Sequence, residues 1–501
     1  MKINTILKGT LILTAAGVIS RLLGFFYRIF LTGIIGAEGL GLYQMVSVCA
    51  LVCMAISNSG ISVAISRYSA LFAGKNEHNR SRHTLVLGMA VSFFISVLCS
   101  LVLYFFSSLL AEYVLKDARC ALPLKIMAFM IPLSVIHNCV CSYYIGIGNA
   151  VIPAISQLLE QITRIGCVYL VFAVRQSSGL PVTVATGILG LVLGEFFSCL
   201  FCITACNFKK KDIIIQNASS LIKDIIKMAV PFSANRIILS ILHSLEAILI
   251  PAMLRQYGLS VSESISTYGI LSGMAFPLIM LPSTLVNSFS QMLLPAVSKA
   301  SSGSTDSVRR TVHTAFEYSM IIGIFCLGAF IIWGDEAGML LFNEISVGKY
   351  VTALAWMCPF LYISTTLSSI LNGMGQTKTT LFLDVTSHML RILIIIILIP
   401  RTGIIGFLLA FLISEIYLAV FCIINTNKLC PVEFDCLRWI IEPCISLAVS
   451  IGVCIGLHSY INDTFRSLPA IITLIISGGI MLLTYYFFMF ILFAKKGLSP
   501  K

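Results

Sequence analysis

Charged side chains are scarce in this 501-residue chain: Asp, Glu, Lys and Arg make up 11% of it, against 58% hydrophobic residues. The mean hydropathy of +0.99 lies far above the range of soluble proteins. The longest polar connections, at about 207–224 and 299–313, are too short to form a hydrophobic core. A soluble domain is therefore excluded, and a membrane-bound polymerase or glycosyltransferase with a sizeable extramembrane catalytic portion is disfavoured.

Motifs for nucleotide binding and for hydrolytic catalysis are also missing. The chain has no Walker A pattern, no HExxH and no Gly-x-Ser-x-Gly in a suitable context. We therefore expect neither an enzyme nor a pump that is driven by ATP on its own. The net charge of +12 comes from residues scattered over six or more loops, so it indicates membrane topology and no nucleic-acid partner.

The seventeen cysteines do not form a recognisable metal or disulfide pattern. Most lie in apolar runs, where cysteine behaves as a small hydrophobic residue. Cys199, Cys202 and Cys206 share one helical face, but neither a nearby histidine nor a ligand-bearing loop accompanies them. We therefore expect reduced structural thiols, no metal site and no organic cofactor.

Long apolar runs recur along the whole chain, and each is long enough to cross a bilayer. Because lipid offers no hydrogen-bond partners to the backbone, such spans must be helical. The sequence therefore predicts an all-α polytopic membrane protein with about 14 transmembrane helices. The first span is too long for a signal peptide and contains Arg21 and Arg28. The runs lie at about 9–33, 43–66, 84–110, 122–145, 152–174, 183–206, 228–251, 267–297, 314–334, 350–373, 379–399, 403–424, 439–460 and 468–493.

The distribution of lysine and arginine predicts that both termini are cytoplasmic. With the N-terminus inside, the inner loops hold 20 basic residues, the outer loops hold 8 and the spans hold 5, which accounts for all 33. An excess of lysine and arginine marks the cytoplasmic side of a membrane protein. An even number of spans places the C-terminus on that same side.

The two halves of the chain repeat one another. At a constant offset of 227, GIGNAVIPAISQLLEQITRI (146–165) aligns with GMGQTKTTLFLDVTSHMLRI (373–392), and Arg164 aligns with Arg391. Repeated helical lobes are typical of transporters that work by alternating access. The repeat predicts two six-helix lobes and two C-terminal helices: an N-lobe at 1–206, a cytoplasmic linker at 207–227, a C-lobe at 228–426, and spans 13 and 14 with a cytoplasmic tail at 427–501.

Three arginines in the opening spans of the two lobes predict an anion-binding cavity. Arg28 lies seven residues beyond Arg21 on the same face of span one, and Arg236 lies near the middle of span seven. A guanidinium at the bilayer centre costs at least about 2.5–3.5 kcal/mol, so it must face a partner or a wet cavity. Its planar fork binds phosphate oxygens. Alternatively, Arg28 extends to the membrane surface and Arg236 pairs with Glu246 or another carboxylate.

Arg164 and Arg391 are interpreted as members of intramembrane ion pairs. Glu160 precedes Arg164 by four residues and shares its helix face. Glu195 in span six and Glu415 in span twelve offer further partners for Arg164 and Arg391 respectively. A structural role is favoured over contact with a substrate or a coupling ion.

Asp384 is the best single candidate for binding a coupling ion. With Asn235 and Thr380 it supplies a carboxylate and neutral oxygens, a combination that suits Na⁺, and a buried carboxylate alone suits H⁺. Pairing of Asp384 with Arg391 or His388 is the favoured alternative.

A set of motifs runs from one end of the chain to the other: KGTLIL (8–13), SRLLGFFYR (20–28), GAEGLGLYQM (36–45), VAIS (63–66), QLLEQITRI (157–165), the Pro231, Arg236 and Glu246 pattern, and LPSTLVNSFSQMLLPAVS (281–298). With these motifs the whole chain resembles the stage V sporulation protein B family. The resemblance implies membership of the multidrug/oligosaccharidyl-lipid/polysaccharide flippase superfamily and a MATE/MurJ-like fold of fourteen helices in two lobes. One departure is that lipid II flippases carry a further arginine in the second span, whereas no basic residue lies between Tyr43 and Ser66.

The resemblance implies a flippase that moves an undecaprenyl-pyrophosphate-linked peptidoglycan precursor to the outer leaflet of a bacterial cytoplasmic membrane, for cell-wall or spore-cortex synthesis. The implied partners are this glycan lipid, membrane lipids and cell-wall synthesis enzymes. Three alternatives stay open: a flippase for a capsular or exopolysaccharide lipid, a cation-coupled multidrug exporter, and a scaffold for cell-wall enzymes. A cavity for cationic drugs should be lined by carboxylates, whereas arginines dominate the proposed face.

Overall fold

The computed structural model describes residues 3–207, 218–283, 286, 305–432, 435–464 and 470–497, and every regular element in these ranges is helical. The helix Val261–Gly269 continues into a π-helical turn at Ile270–Ala275. The helices are α1 (Ile3–Ser57), α2 (Ser59–Gly74), α3 (His78–Phe105), α4 (Ala121–Ala128), α5 (Met130–Gly146), α6 (Val151–Ser177), α7 (Val184–Cys206), α8 (Ala218–Tyr257), α9 (Val261–Gly269), α10 (Thr305–Phe342), α11 (Ile345–Leu354), α12 (Cys358–Gly373), α13 (Thr377–Thr402), α14 (Ile404–Leu429), α15 (Glu442–Thr464) and α16 (Ala470–Gly497).

The described helices account for the predicted number of spans. Twelve are long and apolar enough to cross a membrane, and the bent pair Ala118–Ala128 and Met130–Gly146 makes a thirteenth. The first of the twelve, Leu11–Ser57, has 47 residues and would extend over about 70 Å, more than twice the thickness of the hydrocarbon layer. Gly36 breaks it with a φ of 69°, a conformation that glycine adopts without strain. The break gives two spans, so the predicted multi-pass all-α architecture with about fourteen helices is confirmed.

The chain forms two compact units, Met1–Gly269 and Ile270–Lys501. The α8 helix thus belongs to unit 1 by its contacts, whereas the sequence repeat assigns this span to the C-lobe. The lobe boundaries at 1–206, 207–227, 228–426 and 427–501 stay a prediction.

Within unit 1, the helix directions follow the alternation that consecutive spans require. The first segment of α1 runs parallel to α6, since Gly9 lies beside Ala150 and Gly24 beside Gln161. These are the predicted spans one and five, which must cross the membrane in the same direction.

The α8 helix packs against α1 and α2 in the opposite direction. The Gly60 N–H donates to Ser233 Oγ at 3.1 Å, and the Ser244 hydroxyl donates to the Val48 carbonyl at 3.2 Å. Residue numbers increase along α1 and α2 from Val48 to Gly60, while those of their partners on α8 decrease from Ser244 to Ser233. The predicted spans two and seven are therefore antiparallel, as expected for an even-numbered and an odd-numbered span.

Within unit 2, α10 organises the packing. Ser319 on α10 donates to Thr366 Oγ1 on α12 at 2.8 Å, and Trp439, before α15, stacks on Phe316 with 4.3 Å between ring centroids. The Tyr485 hydroxyl on α16 donates to the Ile321 carbonyl at 2.9 Å. The two C-terminal helices are therefore packed on the helix that corresponds to span nine.

Candidate functional site: arginines and ion pairs inside the spans

Two of the three predicted cavity arginines have accessible side chains. Arg21 lies on α1 and Arg236 on α8, both in unit 1, and both are exposed. Within the described ranges, neither side chain makes a hydrogen bond or an ion pair. Their charges are therefore not neutralised by any carboxylate that the structure describes.

The alternative partner that the sequence offers to Arg236 does not meet it. Glu246 lies ten residues further along α8, about 15 Å in helix rise. Its buried carboxylate instead faces the His243 ring, with 3.9 Å between Nδ1 and Oε2.

Arg28 occupies a different environment from Arg21. It is half-buried, and Tyr43 and Arg164 lie near enough to interact with it electrostatically. The Tyr27 hydroxyl donates to the Gly187 carbonyl at 3.2 Å and lies within hydrogen-bonding reach of Tyr43. Parallel packing of α1 on α6 explains how Arg28 reaches Arg164. Two guanidiniums thus share one polar region of unit 1.

Arg164 forms an ion pair with Glu160 on its own helix, and both side chains are only 14% exposed. The Arg164 Nε is buried without a hydrogen-bond partner in the described ranges. Gly194 on α7 lies against this pair, because a side chain at that position would meet the Glu160 carbonyl. The four-residue spacing brings these partners together, as the sequence predicts.

Glu195 lies against a histidine, and its charge also acts on Arg164 at longer range. Its Oε2 lies 2.9 Å from His137 Nδ1, and the other ring nitrogen, Nε2, lies 3.0 Å from Ser156 Oγ. All three side chains are buried. His137 and Glu195 are 58 residues apart in the chain. The sequence contains no local signal for this contact, which only the packing of α5 against α7 reveals.

In unit 2, Arg391 reaches across to the next helix. Its Nε donates to Ser414 Oγ at 2.8 Å, and its Nη2 donates to Glu415 Oε1 at 2.9 Å. The guanidinium carbon also lies 4.2 Å from the centroid of the Phe411 ring. Because both charged side chains are less than 10% exposed, the pair is buried and hydrogen-bonded.

The proposed cation ligands are divided between the two units. The Thr380 hydroxyl donates to Asn372 Oδ1 at 2.7 Å. Asp384 is half-buried and lies near enough to His388 and Glu415 to interact with them electrostatically. Asn235 belongs to unit 1, whereas Asp384 and Thr380 belong to unit 2. A cation site at these three residues stays a prediction.

The sequence and the fold of this chain are similar to those of known proteins. Over 470 residues the chain is 26% identical to stage V sporulation protein B of Bacillus subtilis strain 168, covering 92% of this chain and 90% of the relative. It is 26% identical over 205 residues to the lipid II flippase MurJ of the same organism, covering 38% of each chain.

The fold matches a solved structure of a lipid II flippase MurJ in an inward closed conformation. The TM-score is 0.73 at 16% identity, covering 97% of this chain and 99% of that one. Where the names of these relatives state an activity, it is that of a flippase and not of an enzyme. The family model for polysaccharide biosynthesis proteins matches residues 6–301, which is more than half of the sequence. The chain therefore belongs to the polysaccharide biosynthesis protein family.

Proposed function

We propose that this protein is a flippase for a lipid-linked glycan, which it carries from the inner to the outer leaflet of a bacterial cytoplasmic membrane by alternating access. The proposal rests on the surroundings of the Arg21 and Arg236 side chains. Both are intramembrane arginines of unit 1, both are exposed, and neither has an ionic partner among the described residues. A charged side chain on a spanning helix is tolerated where it faces water or an anion.

A pyrophosphate supplies the anion that such arginines suit. Guanidinium groups bind phosphate oxygens through paired hydrogen bonds, and they stay charged at every physiological pH. Arg28 adds a third positive charge in the same unit, next to Arg164. The sugars would pass with the pyrophosphate through the cavity, while the polyprenyl tail stays in lipid.

The finer proposal is that the cargo is an undecaprenyl-pyrophosphate-linked peptidoglycan precursor, used in cell-wall or spore-cortex synthesis. The names of the two relatives, one a sporulation protein and the other a lipid II flippase, support this cargo. A second cargo, a capsular or exopolysaccharide lipid, is favoured by one observation. The second span carries no basic residue between Tyr43 and Ser66.

The remaining features of the proposal concern topology and energy. Both termini lie in the cytoplasm, and Na⁺ or H⁺ acts as the coupling ion at Asp384 with Thr380. A cation-coupled drug exporter is disfavoured, because the exposed side chains Arg21 and Arg236 are positive and would repel a cationic drug. Cell-wall synthesis enzymes are the expected protein partners.

The proposal is tested by lipid translocation in a bacterium depleted of its own lipid II flippase. Expression of the intact protein should restore lipid II to the outer leaflet. A parallel strain depleted of its capsular flippase tests the second cargo. If only the capsular strain is rescued, the cargo is another glycan lipid and not the peptidoglycan precursor. Rescue of neither strain by a protein that is inserted and folded would overturn the flippase assignment.

A further inference from the structure

Two helices of unit 1 bring a histidine and two cysteines together in the interior. His137 and Cys141 lie one turn apart on α5, and Cys202 lies on α7. Their ligand atoms all lie within 4.8 Å of one another. Ser156 on α6 stands between them, with its Oγ 3.0 Å from His137 Nε2 and 3.2 Å from Cys141 Sγ.

The surroundings orient His137 for metal binding. The Glu195 carboxylate lies 2.9 Å from Nδ1, so this nitrogen carries the proton and donates to it. The lone pair of Nε2 then faces the side where Ser156 and the thiols lie. A carboxylate that holds one ring nitrogen while the other binds the ion is the usual outer contact of a metal-binding histidine.

We propose that His137, Cys141 and Cys202 bind one Zn²⁺ ion within unit 1. An imidazole nitrogen and two thiolates are ligands that Zn²⁺ prefers, and ligand atoms around it stand about 3.5 Å apart. The observed spacing therefore needs only a small closure. The Ser156 hydroxyl, 3.0 Å from Nε2 and 3.2 Å from the Cys141 sulfur, offers an oxygen for the fourth position.

Charge balance favours a divalent ion at this site. When Zn²⁺ binds, the Cys141 and Cys202 thiols each release one proton to solvent, and the two thiolates cancel the charge of the ion. His137 stays neutral. The ion and its three ligands then carry no net charge, and the Glu195 carboxylate beside them keeps its hydrogen bond from His137 Nδ1.

The site has a structural role in the unit that carries the proposed cavity. It ties α5 to α7, next to the α6 helix that holds Arg164 and Glu160. The sequence directs attention to Cys199, Cys202 and Cys206 and lacks a histidine near them. In the structure, His137 on α5 lies close to Cys202. Of the three cysteines on α7, Cys202 is the one that belongs to the cluster.

Zinc content tests the proposal. The protein would be purified without chelators on a tag that contains no histidine, and metal would be measured by mass spectrometry. We expect about one zinc per chain in the intact protein and in the Cys199→Ser control, and less than about a tenth of that in Cys141→Ser and Cys202→Ser. Cys199 is a suitable control because it is also buried on α7, three residues before Cys202.

Co²⁺ binding to the intact, chelator-treated protein gives a test that does not depend on how well a variant folds. A thiolate-to-cobalt absorption band should form and be displaced by Zn²⁺. Glu195→Gln should weaken Zn²⁺ binding by about 10–100-fold. Zinc retained in Cys202→Ser, or an intact protein with neither zinc nor a cobalt–thiolate band, would overturn the site. Neither result bears on the flippase proposal, whose readout is lipid translocation.

Discussion

Arg391 donates to Glu415 at 2.9 Å across the interface between α13 and α14. Its repeat counterpart Arg164 pairs instead with Glu160 on its own helix. At the repeat offset of 227, Glu160 corresponds to Ser387, which carries no charge. Both halves therefore keep an intramembrane arginine at the equivalent position, and each neutralises it with a carboxylate from a different place.

The first prediction concerns this buried pair in unit 2. Glu415→Gln leaves the Arg391 charge without its ionic partner, and loss of one member of a buried pair costs about 3–5 kcal/mol. The apparent melting temperature in detergent should therefore fall clearly. The double variant Arg391→Met with Glu415→Leu should recover most of the loss, because no isolated charge remains. A double variant that is less stable than Glu415→Gln would contradict this account.

A second prediction concerns the contact between α2 and α8. A side chain at Gly60 would collide with the Ala229 carbonyl and the Ser233 hydroxyl. Gly60→Ala should therefore destabilise the protein by about 1–3 kcal/mol, since the two helices must separate. Gly166→Ala on α6 is the matched control, because nothing lies within 4 Å of the added methyl group. Equal melting temperatures for the two variants would refute the close approach.

The third prediction is a pH dependence at the loop before α4. Burial raises the pKa of Asp117, but hydrogen bonds from the Arg119 side chain and backbone N–H outweigh it and hold the pKa below its usual value. The carboxylate therefore stabilises the folded state above the unfolded pKa of about 4, and this contribution is lost as the pH falls through the lower folded pKa. Asp117→Asn should show a smaller drop in melting temperature between about pH 5 and pH 3. An identical drop in both proteins would contradict the assignment.

The fourth prediction concerns topology. Alkaline phosphatase, which is active only outside the cytoplasm, should be active when inserted at Lys116 and inactive when fused after Lys501. Green fluorescent protein should give the opposite pattern. An active phosphatase at the C-terminus would contradict the predicted cytoplasmic termini.

The sequence predicts the membrane class and the number of spans because apolar length is a local property. It also predicts the contact of Arg164 with Glu160, since a spacing of four residues places both on one helix face. It does not reveal that Glu195 meets His137, because that contact depends on how α5 packs against α7. The break at Gly36 divides one helix of 55 residues, and the apolar pattern alone places the boundary only approximately.

Outward translocation of the glycan lipid by arginine variants tests the central claim most directly. Arg21→Ala and Arg236→Ala, inserted at equal levels, should each lower the translocation rate by at least about tenfold, the size expected from losing a charged hydrogen bond to phosphate. Arg80→Ala should match the intact protein, because its side chain is 64% exposed and forms a surface ion pair with Glu77. Undiminished translocation by the Arg21 and Arg236 variants would contradict the proposed arginine cavity.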